Sequence, residues 1–169
     1  MTVPRGGGGT DVLNQKASLR PLGPEPAFEG YDVQRLWYAL LIRPWSCLGV
    51  VALHRTPNAW RLARSLAELA GRHRRRQIEA IDGIGLDLER AAAIASRVAS
   101  AETVPRVGEP RFVIAVDSPV VNPSVLEVLA ACDTAVLLVQ MGVTDIPRAR
   151  KTVEIVGRNR LAGAVLAFD

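Results

Sequence analysis

The stretch CLGVVALHRTPNAWRLARSLAEL, residues 47–69, indicates both the fold class and the place to look for a ligand. Its first seven residues form an apolar run rich in β-formers, which is typical of a strand buried on both faces. Leucine and alanine then recur at helical spacing, with Asn58 as the expected cap and Gly71 as the expected end of a helix. A buried strand followed by an amphipathic helix is the first half of a parallel βαβ unit.

The same alternation continues on both sides of this stretch. Upstream, helical spacing covers residues 28–43 and stops at Pro44. Downstream, strands are predicted at 77–83, 111–117, 134–140 and 162–168, and helices at 86–101, 122–131 and 144–157. The pattern predicts a three-layer α/β sandwich with a mainly parallel sheet, in which ligands bind at the carboxyl ends of the strands.

The composition is that of a globular domain rather than a disordered chain. Hydrophobic residues make up 49% of the 169 residues, and charged residues make up 22%. We assign residues 27–169 to one domain, and residues 1–26, which carry a glycine run and several prolines, to a flexible tail. The net charge of +4 permits an anionic partner without identifying one.

The sequence favours a soluble, cytoplasmic protein. No apolar segment approaches the ~20 residues that span a bilayer, and the amino terminus lacks the apolar region of a signal peptide. Cys47 and Cys132 each lie beside a predicted strand, and two isolated cysteines form neither a disulfide framework nor a zinc site. We interpret both as small core residues in a reducing compartment.

The loop after the first strand stands where a parallel α/β fold would cradle phosphate. Such a loop needs glycines that expose backbone N–H groups, a lysine for the phosphate oxygens, and a Ser or Thr hydroxyl for magnesium. Pro57 has no N–H to donate, and Trp60 is far larger than a serine. We interpret the loop as a degenerate phosphate loop that consists of His54, Arg55, Thr56, Pro57, Asn58, Ala59, Trp60 and Arg61.

Asp117 ends the predicted strand at 111–117 and precedes Ser118 and Pro119. An aspartate in this position can hold a magnesium ion or its water, or it can brace the turn with its own side chain. Because no phosphate cradle accompanies Asp117, we favour bracing. His54 follows another strand but has no evident orienting partner, so the sequence predicts no catalytic residue and no metal site.

The second half of the chain carries three short motifs in a fixed order: Asp117-Ser118-Pro119, Cys132-Asp133 and Gly142-Val143-Thr144. Together with the apolar strands between them, these motifs resemble the C-terminal half of the bacterial tyrosine kinases of capsule and exopolysaccharide systems. Those kinases belong to the deviant Walker ATPase class, with the ParA/MinD-type proteins. Val120 stands where the family has a second proline.

The first half resembles the same family in its register. The tripeptide Ser-Leu-Ala at 65–67 stands at the family's Asn-Leu-Ala. This register places Asn58 at the phosphate-loop glycine, Ala59 at the lysine, and Trp60 and Arg61 at the Ser-Thr pair. The resemblance therefore implies a P-loop NTPase-like fold that has lost the side chains holding ATP and magnesium, so we expect no cofactor.

The resemblance also marks residues outside the first loop. Asp82 and Asp117 are interpreted as remnants of the family's two acidic motifs. The family uses its first helix for subunit contacts, which makes Asp32, Arg35, Trp37 and Tyr38 interface candidates, although Trp37 also fits a core position.

A basic patch follows the second predicted helix and consists of Arg72, Arg74, Arg75 and Arg76. The patch fits either contact with an acidic membrane or, more commonly, a solvated helix end. No aromatic residue lies within it, so we expect no nucleic-acid partner.

The expectation that follows is a non-catalytic, kinase-like accessory or scaffolding subunit of a bacterial exopolysaccharide or capsule system. Its partner would be a membrane polysaccharide co-polymerase, another secretion subunit or a second copy of the chain, and it would meet the inner membrane through that partner. One alternative is an active but atypical NTPase or tyrosine kinase that binds ATP and magnesium through Arg55, Arg61 and Asp117. Another is a ParA/MinD-like positioning protein that docks on acidic membrane through the basic patch.

Overall fold

The computed structural model describes residues 30–101 and 109–168, so the tail predicted at 1–26 lies outside the described residues. Five strands alternate with five α-helices and one short 3-10 turn. In chain order these are α1 (Gly30–Leu40), β1 (Cys47–Ala52), α2 (Asn58–Arg74), β2 (Glu79–Gly83), α3 (Leu88–Ala101), β3 (Phe112–Asp117), α4 (Val125–Ala131), β4 (Thr134–Gln140), α5 (Ile146–Val156), the 3-10 turn (Arg158–Arg160) and β5 (Leu161–Ala167).

The five strands form one sheet in the order β2-β3-β1-β4-β5, and every neighbouring pair is parallel. The central strand β1 is buried at all six positions, as its continuous apolar sequence predicts. Its last residue, Ala52, lies opposite Asp117 of β3 and Leu138 of β4. The predicted three-layer α/β sandwich with a parallel sheet is therefore confirmed.

Two apolar layers cover the two faces of the sheet. Helices α1 and α2 pack on one face, while α3, α4 and α5 pack on the other. The connection from β1 to β2 runs in the opposite direction along the sheet from the later connections. A right-handed crossover that runs one way along a parallel sheet places its helix on one face, and a crossover that runs the other way places its helix on the other face. Helix α2 therefore lies on the face opposite to α3, α4 and α5.

An aromatic cluster attaches α1 to the end of α2. Trp37 is 1% exposed and meets Trp45 edge-on, with ring centroids 6.1 Å apart. The indole N–H of Trp45 donates to the Leu40 carbonyl at 3.2 Å, which satisfies its buried polar group. His73, in the last turn of α2, stacks on Trp37 with a centroid distance of 5.9 Å. The first helix is thus part of the core rather than an appendage.

Both expected ends of the second helix need correction. Asn58 is a helical residue rather than the cap, and its backbone N–H donates to the Thr56 hydroxyl at 3.2 Å. The helix does not stop at Gly71 but continues to Arg74, because arginine is a good helix former and cations are favourable near a helix C-terminus. Arg75 then adopts the left-handed conformation, with φ 51° and ψ 41°.

Candidate functional site

Three polar side chains lie at the carboxyl ends of the three central strands. Asp117 closes β3, Gln140 closes β4, and His54 follows β1 by two residues. Residues two positions apart along an extended strand point to the same face. Ala115, Leu138 and Ala52, each two residues earlier, lie in the layer formed with α1 and α2. The alternation therefore places the side chains of Asp117 and Gln140 on the α2 face of the sheet, whereas His54 lies in a bend after β1.

His54 and Gln140 contact each other across β1 and β4. The His54 Nε2 atom lies 2.6 Å from Gln140 Oε1. When Nε2 carries the proton it donates this hydrogen bond, and Nδ1 is left as an acceptor. Nδ1 is buried and has no hydrogen-bond partner among the described residues. This contact lies between β1 and β4. The connection after β1 leads toward β2, and the connection after β4 leads toward β5, in the opposite direction along the sheet. Open α/β sheets bind their ligands beside such a point.

Asp117 is nearly enclosed, with 4% of its surface exposed. One carboxylate oxygen, Oδ2, accepts a 2.7 Å hydrogen bond from the backbone N–H of Gly85. The other oxygen, Oδ1, is buried and has no hydrogen-bond partner within the described ranges. Gly85 has a φ of 70°, a conformation that glycine adopts readily. Asp117 therefore holds the loop between β2 and α3, whereas the sequence interpretation is that it braces its own turn.

Arg55 connects the first loop to this braced loop. Its guanidinium group occupies the space that a β-carbon on Gly85 would need. The arginine side chain is nevertheless mostly exposed at the carboxyl edge. The β2–α3 loop is thus held by Asp117 from inside and covered by Arg55 from outside.

The start of α2 is buried where a phosphate loop would be open. Ala59, which the sequence resemblance aligns with a phosphate-loop lysine, has no exposed surface and belongs to the core. Asn58 and Thr56 are 5% and 7% exposed. Trp60 is half-buried against the same layer, whereas Pro57 and Arg61 are exposed. The residues predicted to form a degenerate phosphate loop therefore divide into a buried set, which packs, and an exposed set.

The remaining predicted residues lie apart from His54, Asp117 and Gln140, which we together call the edge cluster. Asp82 is exposed, and its Oδ1 accepts a hydrogen bond from the backbone N–H of Ile84 at 3.1 Å, which forms a local turn. On α1, Asp32, Arg35 and Tyr38 are exposed. Trp37 is buried within its own chain, so its assignment as an interface residue is corrected to a core residue.

The basic patch lies at the far end of α2, about 25 Å from the first loop for a helix of 17 residues. Arg72 and Arg74 are exposed in the last helical turn, and Arg75 is exposed at the cap. Arg76 differs because it forms an ion pair with Glu109. The patch is therefore separate from the edge cluster, and three of its four arginines face solvent.

Sequence reasoning missed the partner of His54 and the role of Thr56. Gln140 is 86 residues away in the chain from His54. The one feature of the sequence that points to Gln140 is that this polar residue ends an otherwise apolar strand. Thr56 belongs to the predicted loop, but local sequence does not indicate that its hydroxyl accepts a hydrogen bond from the first helical N–H.

Within the described ranges, no three His, Cys, Asp or Glu side chains form a group that could hold a metal ion. The helices in this part of the chain include none long and apolar enough to cross a membrane. No family model matches the chain, and no curated protein matches it significantly.

Proposed function

We propose that the chain is a non-catalytic, P-loop-like binding protein that acts through protein–protein contacts. Its setting would be the cytoplasmic side of a bacterial exopolysaccharide or capsule system, where it would serve as an accessory or scaffolding subunit. The setting rests on the sequence resemblance at Asp117-Ser118-Pro119, Cys132-Asp133 and Gly142-Val143-Thr144. The non-catalytic part of the proposal rests on the geometry at the start of α2.

The observation that carries the proposal is the complete burial of Ala59. A lysine that binds phosphate must extend its ammonium group into an open cradle. At position 59 the side chain instead points into the α1/α2 layer, beside leucines of the same helix. If position 59 corresponds to the phosphate-loop lysine, as the resemblance implies, that position is used for packing.

Electrostatics at the edge cluster also disfavours a phosphate. Within the described ranges, the Oδ1 atom of Asp117 has no hydrogen-bond partner, and a carboxylate oxygen on the α2 face disfavours an anion at short range. The N–H of Asn58, one of the donors that a helix start offers to an anion, is used by the Thr56 hydroxyl. Both features disfavour a nucleotide at this edge of the sheet.

The first experiment is isothermal titration of the folded chain with ATP, with and without magnesium. We expect no saturable binding, because the lysine, glycine and hydroxyl positions are all replaced. A magnesium-dependent affinity in the micromolar range would overturn the non-catalytic proposal. In that event, loss of binding in Arg61→Ala would support the atypical NTPase, and unchanged binding would rule out that version.

The second experiment tests the partner class by retention on the immobilised cytoplasmic part of a membrane polysaccharide co-polymerase. Tyr38 is 53% exposed on α1, beside the exposed Arg35. We expect Tyr38→Ala combined with Arg35→Glu to abolish retention. Leu88→Ala is the matched control, since Leu88 is 61% exposed on the opposite layer and should not affect retention. Equal loss in both variants would contradict the assignment of α1 as the interface.

A second candidate function is docking on acidic membrane, which is favoured by the exposure of Arg72, Arg74 and Arg75. Clustered arginines gain about 1 kcal/mol each near an anionic lipid surface. Co-sedimentation with phosphatidylserine vesicles distinguishes this candidate. Vesicle binding that falls with added salt and with reversal of these three charges would support membrane docking. Absence of vesicle binding would rule out membrane docking, and the protein–protein proposal would then be the remaining candidate.

A further inference from the structure

The two cysteines of the chain, which the sequence suggested were isolated, lie in contact. Cys47 begins β1, and Cys132 follows the last residue of α4. Their Sγ atoms are 3.3 Å apart, although 85 residues separate them in the chain. Both side chains are buried, Cys47 at 1% exposed and Cys132 at 4%. They occupy the amino edge of the sheet, opposite the edge that carries His54 and Gln140.

The backbone on both sides of this thiol pair is fixed by one carboxylate. Asp133 Oδ2 accepts hydrogen bonds from the backbone N–H groups of Ser46, at 2.6 Å, and Cys47, at 2.9 Å. The N–H of Asp133 in turn donates to the Cys47 carbonyl at 3.0 Å. The guanidinium group of Arg160 donates to the Cys132 carbonyl. These contacts fix the backbone at both cysteines. The short distance between the two thiols is therefore a property of the fold and not of a mobile loop.

We propose that Cys47 and Cys132 form a two-electron redox site that closes to an intramolecular disulfide on reaction with a peroxide. The sulfur atoms are 3.3 Å apart and need to approach by about 1.3 Å to reach the length of a disulfide bond. The site does not depend on the proposed function, because it uses none of the residues at the carboxyl edge or on α1.

The reaction balances with hydrogen peroxide as the oxidant. The thiolate of Cys132, the more exposed cysteine, attacks one peroxide oxygen and breaks the O–O bond. The products are a cysteine sulfenic acid and hydroxide, which takes up the thiol proton and becomes water. The thiolate of Cys47 then attacks the sulfenic sulfur, and the S–OH bond breaks to release a second water. Two thiols are oxidised, one peroxide is reduced, and a dithiol reductant reverses the bond by exchange.

The bond would join the start of β1 to the end of α4. It would close the loop from residue 47 to residue 132, which contains β1, α2, β2, α3, β3 and α4. A cross-link that closes a long loop restricts the unfolded chain and so favours the folded state. The oxidised protein should therefore unfold at a higher urea concentration than the reduced protein.

The test treats the folded full-length chain with hydrogen peroxide, removes the peroxide, alkylates the chain in denaturing urea so that both thiols are accessible, and records the intact mass. We expect a monomer that has lost two hydrogens and accepts no alkyl group, and that dithiothreitol returns to the dithiol. Cys47→Ser and Cys132→Ser each keep one thiol and serve as controls that cannot form the bond. Only the oxidised wild-type chain should show the higher urea midpoint.

Three results would overturn the proposal. The first is full alkylation of both thiols after peroxide treatment. The second is a product that carries added oxygen or links two chains in place of the internal bond. The third is a lower urea midpoint for the oxidised chain, which would mean that the native sheet does not accommodate the disulfide.

Discussion

Ala59 has no exposed surface and packs against the α1/α2 layer. Replacing it with lysine would force a long charged side chain into a filled core. We expect Ala59→Lys to lower the free energy of unfolding by about 3 kcal/mol or more, through overpacking and burial of an unpaired charge. Urea denaturation measures the loss. Arg61→Lys, at an exposed position two residues further along the helix, is the control and should stay within about 0.5 kcal/mol. A well-folded Ala59→Lys protein that binds ATP would contradict this account.

Arg75 is the single described residue other than glycine with a positive φ, at 51°. Its backbone N–H donates to the Gly71 carbonyl and closes the end of α2. Glycine adopts this conformation without the steric cost of a side chain, so Arg75→Gly should raise the free energy of unfolding by about 0.5–1 kcal/mol.

Thermal unfolding of Arg74→Gly supplies the comparison for this position. Arg74 is the last helical residue of α2, where glycine should lower stability by up to about 1 kcal/mol. Opposite signs for two adjacent arginines are the expected result. Equal destabilisation by both substitutions would show that the left-handed cap of α2 does not form in solution.

At the scale of elements, the end of α4 depends on a side chain from the 3-10 turn. The Arg160 guanidinium group donates to the carbonyls of Leu129, Ala130 and Cys132 at the end of the helix, where carbonyls lose their regular intrahelical donors. The Leu129 carbonyl also accepts from the backbone N–H of Cys132 at 3.3 Å. Arg160→Ala should lower the free energy of unfolding by about 1–3 kcal/mol, because charge-assisted bonds to part-buried carbonyls are lost. Arg158→Ala, in the same turn but exposed, should change it by less than about 0.5 kcal/mol. Similar losses in both variants would contradict the capping role.

The three central strands, β1, β3 and β4, could be predicted closely because buried parallel strands are continuous apolar runs. The predicted 134–140 matches β4, and 111–117 differs from β3 by one residue at its start. Strand order could not be predicted, because it depends on which faces pack together in three dimensions. The same limit applies to the site: the loop at His54 was recognised, but neither Gln140 nor the contact between Cys47 and Cys132 follows from local sequence.

At the scale of the whole molecule, β1 joins the two apolar layers. Leu48 and Val50 of this strand belong to the layer with α1 and α2, whereas Cys47 and Val51 belong to the other layer. Neither layer can keep its packing once β1 leaves the sheet. The two layers should therefore unfold as one cooperative unit.

The tryptophans provide a measurement of this cooperativity. All three, Trp37, Trp45 and Trp60, lie in or against the α1/α2 layer, so their fluorescence reports that layer alone. Far-UV circular dichroism reports the helices of both layers. We expect urea transitions by the two methods to coincide. A fluorescence transition at lower urea would show that the α1/α2 layer separates first.

The central position of β1 also bears on synthesis of the chain. Both of its partners, β3 and β4, are encoded far downstream and end at residues 117 and 140. During translation, β1 emerges from the ribosome long before either neighbour exists, so its apolar side chains stay without a sheet until most of the chain has been made. A stalled nascent chain ending near residue 100 should thus recruit chaperones that bind apolar segments, and release from them should follow the appearance of β4.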